Sequence, residues 1–318
     1  MTSAVRTVSS LDVHYRRKKS IWSYLWKYRV LYLISLPGIL YFIIFKYVPL
    51  LGSVIAFQKY NIFSGFTGSP WVGFDQFTRM FEHYDFLRIL KNTVLLGLYD
   101  IFFSFPAAII IALLLNELRH VVYKRLIQTV IYMPHFLSWV IISGIAASVF
   151  SPSAGIFNQF INWLGFESMY ILGEESYIRS FLVGAGMWRD VGYATIIYLA
   201  ALAGVNPDLY EAAEIDGANR FRQTISITIP SIMPTIVILF LLNIGHFLDF
   251  GFERVWVFLN SLNNTNGEIL DTYIYRLGIQ SQQYSYTTAI GLFKSVVGLL
   301  LLLIGNVLSK KATGESLF

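Results

Sequence analysis

Asn243, His246 and Asp249 recur at intervals of three in an otherwise apolar stretch, which on a helix puts an amide, an imidazole and a carboxylate along one stripe. Such a stripe can line an aqueous path or serve hydrogen bonds between helices, and Asp249, nearest the end of the stretch, can simply be solvated. Lys294 sits among apolar neighbours, where its ammonium must reach an acidic partner, snorkel to water or meet an acidic ligand. Arg189 and Asp190 are adjacent, so a regular helix would turn them apart and give each its own partner. Trp188 and Tyr193 nearby offer ring faces, either for a ligand or for packing inside a bundle. His135 follows Pro134 at an expected kink, where a hydrogen-bonded structural histidine is the safer reading. Polar and ionisable groups in such surroundings are expensive, and each is a functional candidate for that reason.

The elements that must position these residues follow from composition. Of 318 residues, 55% are hydrophobic and 14% charged, against roughly 25% charged in ordinary globular chains. The apolar residues come in blocks, and a helix needs roughly 20 of them to cross a bilayer core. Six blocks qualify, at about 30–57, 93–115, 127–150, 180–203, 231–250 and 288–308. The predicted fold is all-α, a polytopic membrane protein with six transmembrane helices. Its 20 Tyr, 26 Phe and 7 Trp suit helices that cross two membrane–water interfaces. Pro37, Pro49, Pro106, Pro134 and Gly144 lie in or beside the blocks, as bundles tolerate. With no cysteine, disulfides and thiolate metal sites are excluded, and no metal or catalytic site is predicted.

Charge sets the orientation. With the N-terminus cytoplasmic, the inner segments carry Arg6, Arg16, Arg17, Lys18, Lys19, Lys27, Arg29, Arg119, Lys124, Arg125, Arg220, Arg222, Lys310 and Lys311. The outer loops, at about 58–87, 151–179 and 251–287, hold Lys59, Arg79, Arg179, Arg254 and Arg276. That asymmetry is the positive-inside pattern, with both termini cytoplasmic. The net charge of +5 is thereby a topological signal and not a nucleic-acid one. Residues 1–29 read as a retained basic tail and 30–318 as one membrane domain.

One inner loop, about 204–234, has its own design. Asn206 suits an N-cap, Pro207 the first helical position, and Asp208 and Glu211 the positive end of a helix dipole. Gly217 can stop that helix in a left-handed conformation. A second short helix is expected over about 219–228, with Pro230 beginning the return to the membrane. Together they predict a helix–turn–helix at the cytoplasmic surface, where Ala212, Ala213 and Ala218 let another backbone approach.

Glu211-Ala212-Ala213, Gly217 and Ile227-Thr228-Ile229-Pro230 together resemble the signature of ATP-binding-cassette importer permeases, Ile229 replacing the usual Leu. The resemblance extends to Trp71–Phe77, Asn92-Thr93, Met133-Pro134, Asp271–Arg276 and Ala289–Lys294, over most of residues 25–318. It is nearest in pattern to the branch that imports oligosaccharides and polysaccharide fragments, and within it to the first permease subunits of alginate importers. The resemblance implies that the loop docks in a cleft of an ATPase subunit. Glu211, Ala212, Ala213, Asp216 and Gly217 would form that contact, Glu211 would face a basic group, and Ile227 and Pro230 would close the motif.

It also implies partners. A second homologous permease subunit, two ATPase subunits that bind ATP and Mg, and a periplasmic or lipid-anchored solute-binding protein would complete the importer in the bacterial inner membrane. The chain itself would bind no cofactor and no nucleic acid. No P-loop, His-Glu-x-x-His or Gly-x-Ser-x-Gly occurs, so ATP hydrolysis must come from a partner. An oligosaccharide path would combine aromatic faces such as Trp188 and Tyr193 with polar groups, a polyuronate path would add cations, and the candidates here do not separate the two. The alternative class, a stand-alone ion-coupled sugar transporter, would show related halves and buried coupling acids. Here the halves do not match, and Asp100, Asp190 and Asp249 are the few acids inside blocks.

Overall fold

The computed structural model describes residue 22 and residues 26–314. Arg6 and the Arg16–Lys19 cluster of the expected tail lie outside the described residues. The chain divides into two compact units, Met1–Ser53 and Val54–Phe318. Among the described residues the regular structure is helical, apart from one isolated bridge between Gln58 and Trp71.

Helix α1 (Arg29–Phe57) supplies the first unit as far as Ser53, and its Arg29–Phe42 stretch buries no residue. In the second unit α2 (Asp75–Glu82) precedes the long α3 (Tyr84–Glu117). Helices α4 (Val121–Phe136) and α5 (Trp139–Val149) follow, then the short α6 (Ile156–Trp163). Helix α7 covers 175–202, with a π turn at Met187–Val191. Beyond it come α8 (Asp208–Ile215), α9 (Arg220–Gly245), α10 (Phe252–Trp256), α11 (Leu270–Tyr275) and α12 (Tyr284–Thr313).

Four of these, α1, α3, α9 and α12, are long and apolar enough to cross a membrane. The expected third block is not straight: α4 and α5 meet at 102°. Pro134 opens a 3₁₀ turn there, Leu137 is extended, and the Ser138 hydroxyl caps α5 by accepting from the Ile141 N–H at 3.3 Å. The expected fourth block lies in α7, where Arg189 and Asp190 interrupt the apolar run. The molecule is a multi-span, all-α membrane protein. Its exterior fits that class, since Leu114, Val140 and Leu300 are each more than half exposed, on surfaces that lipid tolerates.

Three prolines inside these helices follow one rule, whereas Pro37 and Pro234 stand in regular helix. Pro49, Pro106 and Pro230 each stand two residues after a π turn, at Ile43–Tyr47, Asp100–Ser104 and Thr224–Thr228. In each case the residue before the proline donates its N–H five residues back, to Ile43, Asp100 and Thr224 respectively. A proline ring would otherwise crowd the carbonyl four residues back. The wider turn moves that carbonyl aside, so the helix continues through the proline.

Two expectations are corrected here. The second helix of the inner loop does not end near Thr228: it continues through the π turn and Pro230 as α9, 26 residues in all. The expected fifth block to residue 250 instead stops at Gly245, because His246–Asp249 fold into a turn closed by the Asp249 N–H on the His246 carbonyl, 2.7 Å.

Close backbone approach fixes α7 against α4. A Cβ on Gly192 would meet the Ile131 carbonyl oxygen at 2.1 Å, whereas one on Gly184 would meet nothing within 4 Å. Gly192→Ala is therefore expected to destabilise the protein by about 1–3 kcal/mol. Gly184→Ala should be neutral, and thermal unfolding of the two variants in detergent compares them.

Candidate functional site

Two polar cavities and one exposed loop gather the chemistry. The first cavity, about 300 Å³, lies between α3, α7 and α9 and is lined by Asp100, Ser104, Asp190, Tyr198, Asn243 and Arg254 among others. Arg254, a loop charge in the sequence reading, is in fact buried: its Nη1 and Nη2 donate to the two oxygens of Asp100 at 2.7 and 3.1 Å. Its Nε and Nη2 also donate to the Leu182 carbonyl at 3.0 and 2.8 Å, and its guanidinium lies 3.9 Å from the Phe250 ring centroid. Room for it exists because residue 186 is glycine, where a Cβ would come within 2.1 Å of the guanidinium. Ser104 adds a hydroxyl donor to Asp100 at 2.9 Å, across one turn.

The π turn of α7 alters the expected geometry at Arg189 and Asp190. The two do not point apart: Arg189 Nη1 is 3.3 Å from Asp190 Oδ1, because a wider turn brings successive side chains closer in angle. Each also keeps a partner of its own. Arg189 Nε donates to the Leu137 carbonyl at 3.1 Å, while His135 Nδ1 lies 2.9 Å from Asp190 Oδ1. The His135 ring stacks on Tyr193 at 3.9 Å and 5°. Tyr193 thus gives one face to packing, and Trp188 remains half exposed.

The second cavity, about 400 Å³, holds His246, Asp249, Asp271, Gly291 and Lys294. Lys294, 13% exposed, is paired with both Asp249 and Asp271, which belong to the turn after α9 and to α11. Ending α9 at Gly245 therefore breaks the expected single stripe. Asn243 faces the first cavity, whereas His246 and Asp249 face the second.

Above these, α11 is tied down by Glu268, whose carboxylate accepts from Arg276 Nε at 2.8 Å and Nη2 at 3.0 Å. That hydrogen bond, ahead of the opposing burial, raises the Arg276 pKa above its ordinary value. Arg179 reaches Asn92 at 2.6 Å and Asn266 at 2.7 Å, so the segment before α11 is pinned to both α3 and α7.

The exposed loop is built from caps. Asn206 Oδ1 accepts from the Asp208 N–H at 3.1 Å, which starts α8. At its end Gly217 has φ +74°, its N–H donates to Glu214, and the Ala218 N–H donates to Ala213 at 2.9 Å. These paired bonds are a Schellman closure, which a left-handed glycine permits. Asn219 Oδ1 then accepts from the Arg222 N–H at 2.9 Å and starts α9. Tyr210 Oη and Thr228 Oγ1, 2.9 Å apart, hold the two helices together. Glu211, Ala212, Asp216 and Gly217 are exposed, and a cavity of about 240 Å³ runs from Ala213 and Asp216 to Arg222 and Ile227. Ile215 and Phe221 stand 88% and 75% exposed on the same loop.

Comparison with known proteins fits this arrangement. Residues 90–314 match the family described as binding-protein-dependent transport system inner membrane component. The chain is 49% identical over 288 residues to Protein LplB of Bacillus subtilis (strain 168), covering 91% of each. It is 45% identical over 290 residues to the polygalacturonan/rhamnogalacturonan transport system permease protein YteP of that strain, covering 91% of this chain and 90% of the other. A chain in the crystal structure of a bacterial alginate ABC transporter, in complex with an alginate pentasaccharide-bound periplasmic protein, superposes with a TM-score of 0.87. The identity there is 36%, over 93% of this chain and 99% of that one.

The chain therefore belongs to the binding-protein-dependent transport system inner membrane component family. It is the permease subunit of an ABC importer, a non-catalytic, multi-pass inner-membrane protein that acts with a solute-binding partner and an ATPase component.

Arg254 and Asp271 were the residues that sequence reasoning left out of the site. The signal for a partner was present in Asp100, an acid inside an apolar block. Removing the cation alone, as in Arg254→Leu, should destabilise the fold by about 3–5 kcal/mol by leaving Asp100 uncompensated. The double variant Arg254→Leu/Asp100→Leu should recover most of that loss in thermal unfolding. A single variant melting like the wild type would remove the pair from the fold's support.

Proposed function

We propose that this chain is one of two permease subunits of an importer for acidic oligosaccharides, polyuronates in particular. The observation that carries the substrate reading is the 45% identity, across 91% of the chain, to a permease named for polygalacturonan and rhamnogalacturonan. The likeness to a chain of the alginate transporter supports the same substrate class. The cations of the two polar cavities are already paired, Arg254 with Asp100 and Lys294 with Asp249 and Asp271, so the substrate reading rests on the relatives and not on an unpaired charge in either cavity. Along the path Asn243 would serve the first cavity, His246, Asp249 and Lys294 the second, and Arg189 would stand beside Asp190. The open ring of Trp188 and the outer face of Tyr193 would stack on pyranose faces.

In this reading six spans cross the inner membrane with both termini cytoplasmic, as the charge asymmetry supports. Helices α4 and α5 would form one bent span, and α7 would cross despite Arg189 and Asp190, whose charges are neutralised locally. The α8–α9 loop would be the coupling helix–turn–helix, set in a cleft of one of two ATPase subunits that bind ATP and Mg. Glu211 and Asp216 would meet basic groups there, Ala212, Ala213 and Gly217 would allow close approach, and Ile215 and Phe221 would lose their exposure. Ile227 and Pro230 would carry the displacement into α9.

Two measurements test these points. Glu211→Ala should lower binding-protein-stimulated ATPase activity about tenfold, the scale of one charge-assisted hydrogen bond, while membrane insertion is retained. Gly217→Val should do likewise by straining the φ +74° closure. Wild-type coupling in both would sink the docking reading. For the substrate, the importer reconstituted with its partners should take up oligogalacturonate in preference to the same oligomers with reduced carboxyls, and equal uptake would refute the polyuronate assignment.

A further inference from the structure

A third cavity, about 180 Å³, lies apart from the two described, between the segment after α1, helix α2 and the turn into α12. Lys59, Tyr60, Gln76, Arg79, Gln282 and Tyr284 are among its walls, and no acidic residue lines it. Lys59 and Arg79 have no ion-pair partner among the described residues. Arg79 is instead positioned by neutral groups: its Nη2 donates to Gln283 Oε1 at 3.1 Å, and its guanidinium lies over the Tyr286 ring at 4.9 Å. Gln76 Oε1 is buried without a hydrogen-bond partner, a condition that native folds rarely leave unanswered.

The backbone at this cavity is also unusual. Gln282, with φ +56°, is the non-glycine residue that adopts positive φ among the described residues. Such a conformation costs energy and persists where its surroundings hold it, often at binding sites. Here the Gln283 N–H donates to the Leu277 carbonyl at 2.9 Å, and the Tyr60 N–H donates to Ser285 Oγ at 2.9 Å. These bonds hold the backbone at the rim of the cavity.

A complementary ligand must bring an anion for two uncompensated cations and a hydroxyl donor for the Gln76 oxygen. It must also bring an apolar face for Tyr60 and Tyr284, whose rings meet edge to face at 6.3 Å. A protein partner would need a carboxylate, a hydroxyl and an apolar face from separate side chains, and a neutral sugar leaves the cations unanswered. A uronate residue supplies all three. The cavity, about 180 Å³, is large enough to admit one sugar ring. Rotation of the Gln76 amide about its soft terminal torsion turns the oxygen toward such a ring.

We infer that this cavity is a uronate-binding subsite on the outer face, a first contact for the incoming chain before the membrane path. The inference rests on the polyuronate reading and on the proposed orientation. Tyr284 at this cavity and Lys294 at the second one lie on the same helix, about 15 Å apart along its axis. The same helix thus borders both cavities.

The test uses the complete importer with its binding protein, comparing half-saturation for oligogalacturonate with that for carboxyl-reduced oligomers. In Lys59→Gln and Arg79→Gln the preference for the uronate should fall about tenfold, and Lys59→Arg should restore it. Because Lys59 is exposed, its variant keeps the test valid even where Arg79→Gln fails to assemble. An unchanged preference in Lys59→Gln overturns the subsite while leaving the substrate assignment standing. An equal loss for both oligomers overturns it in favour of a docking surface for the binding protein. A wild-type importer without uronate preference refutes the substrate reading first, and the subsite falls with it.

Discussion

Charge buried in an apolar bundle has to be answered inside the bundle, and that constraint organises this permease. Asp100 on α3 is answered by Arg254, which arrives from the segment after α9 and also satisfies the Leu182 carbonyl of α7. A single guanidinium thereby joins three parts of the chain that are remote in sequence. Lys294 on α12 does the same from the other sign, drawing Asp249 and Asp271 toward one ammonium. Glu268, 2% exposed, completes the series with Arg276 and Arg88. Hydrophobic burial contributes little to association between helices in lipid, so such directional contacts and close backbone approaches determine how the helices meet.

A second constraint acts on the backbone. In hydrocarbon an N–H or C=O without a partner is expensive, yet this chain places prolines within three of its long helices. The π turns before Pro49, Pro106 and Pro230 reconcile the two by letting the helix continue with one wider ring. Their placement has chemical consequences. The turn at Asp100–Ser104 carries the carboxylate that holds Arg254, and the proline-free turn at Met187–Val191 brings Arg189 beside Asp190. Helix irregularity and polar chemistry coincide because each widened turn redirects the side chains it carries.

Much of this was legible in the sequence. Apolar runs gave the long helices, and the capping residues Asn206, Gly217 and Asn219 marked α8 and the start of α9 within a residue or two. Arg254 was not legible as a buried residue, because local composition says nothing about a partner that lies far along the chain. The Asn243–His246–Asp249 stripe failed for a related reason. Its spacing presumed that the helix continued, whereas the turn after Gly245 sends Asn243 to one cavity and the other two to another. Adjacent Arg189 and Asp190 were misjudged because a regular helix was assumed where a π turn stands.

The continuity of α9 gives the coupling reading its mechanical basis. One helix of 26 residues, about 39 Å long, begins at the Asn219 cap beside the exposed loop and ends at the turn that carries His246 and Asp249. Had the chain broken near Thr228, displacement of the loop would have been lost in a flexible joint. Tyr210 and Thr228 also link α8 to the base of α9 through one hydrogen bond. Asn243 at the first cavity and Asp249 at the second are then reached by the same rod, and Asp249 in turn holds Lys294 of α12. Helix α9 and the turn that ends it thus contribute lining to both polar cavities, Asn243 to one and His246 and Asp249 to the other.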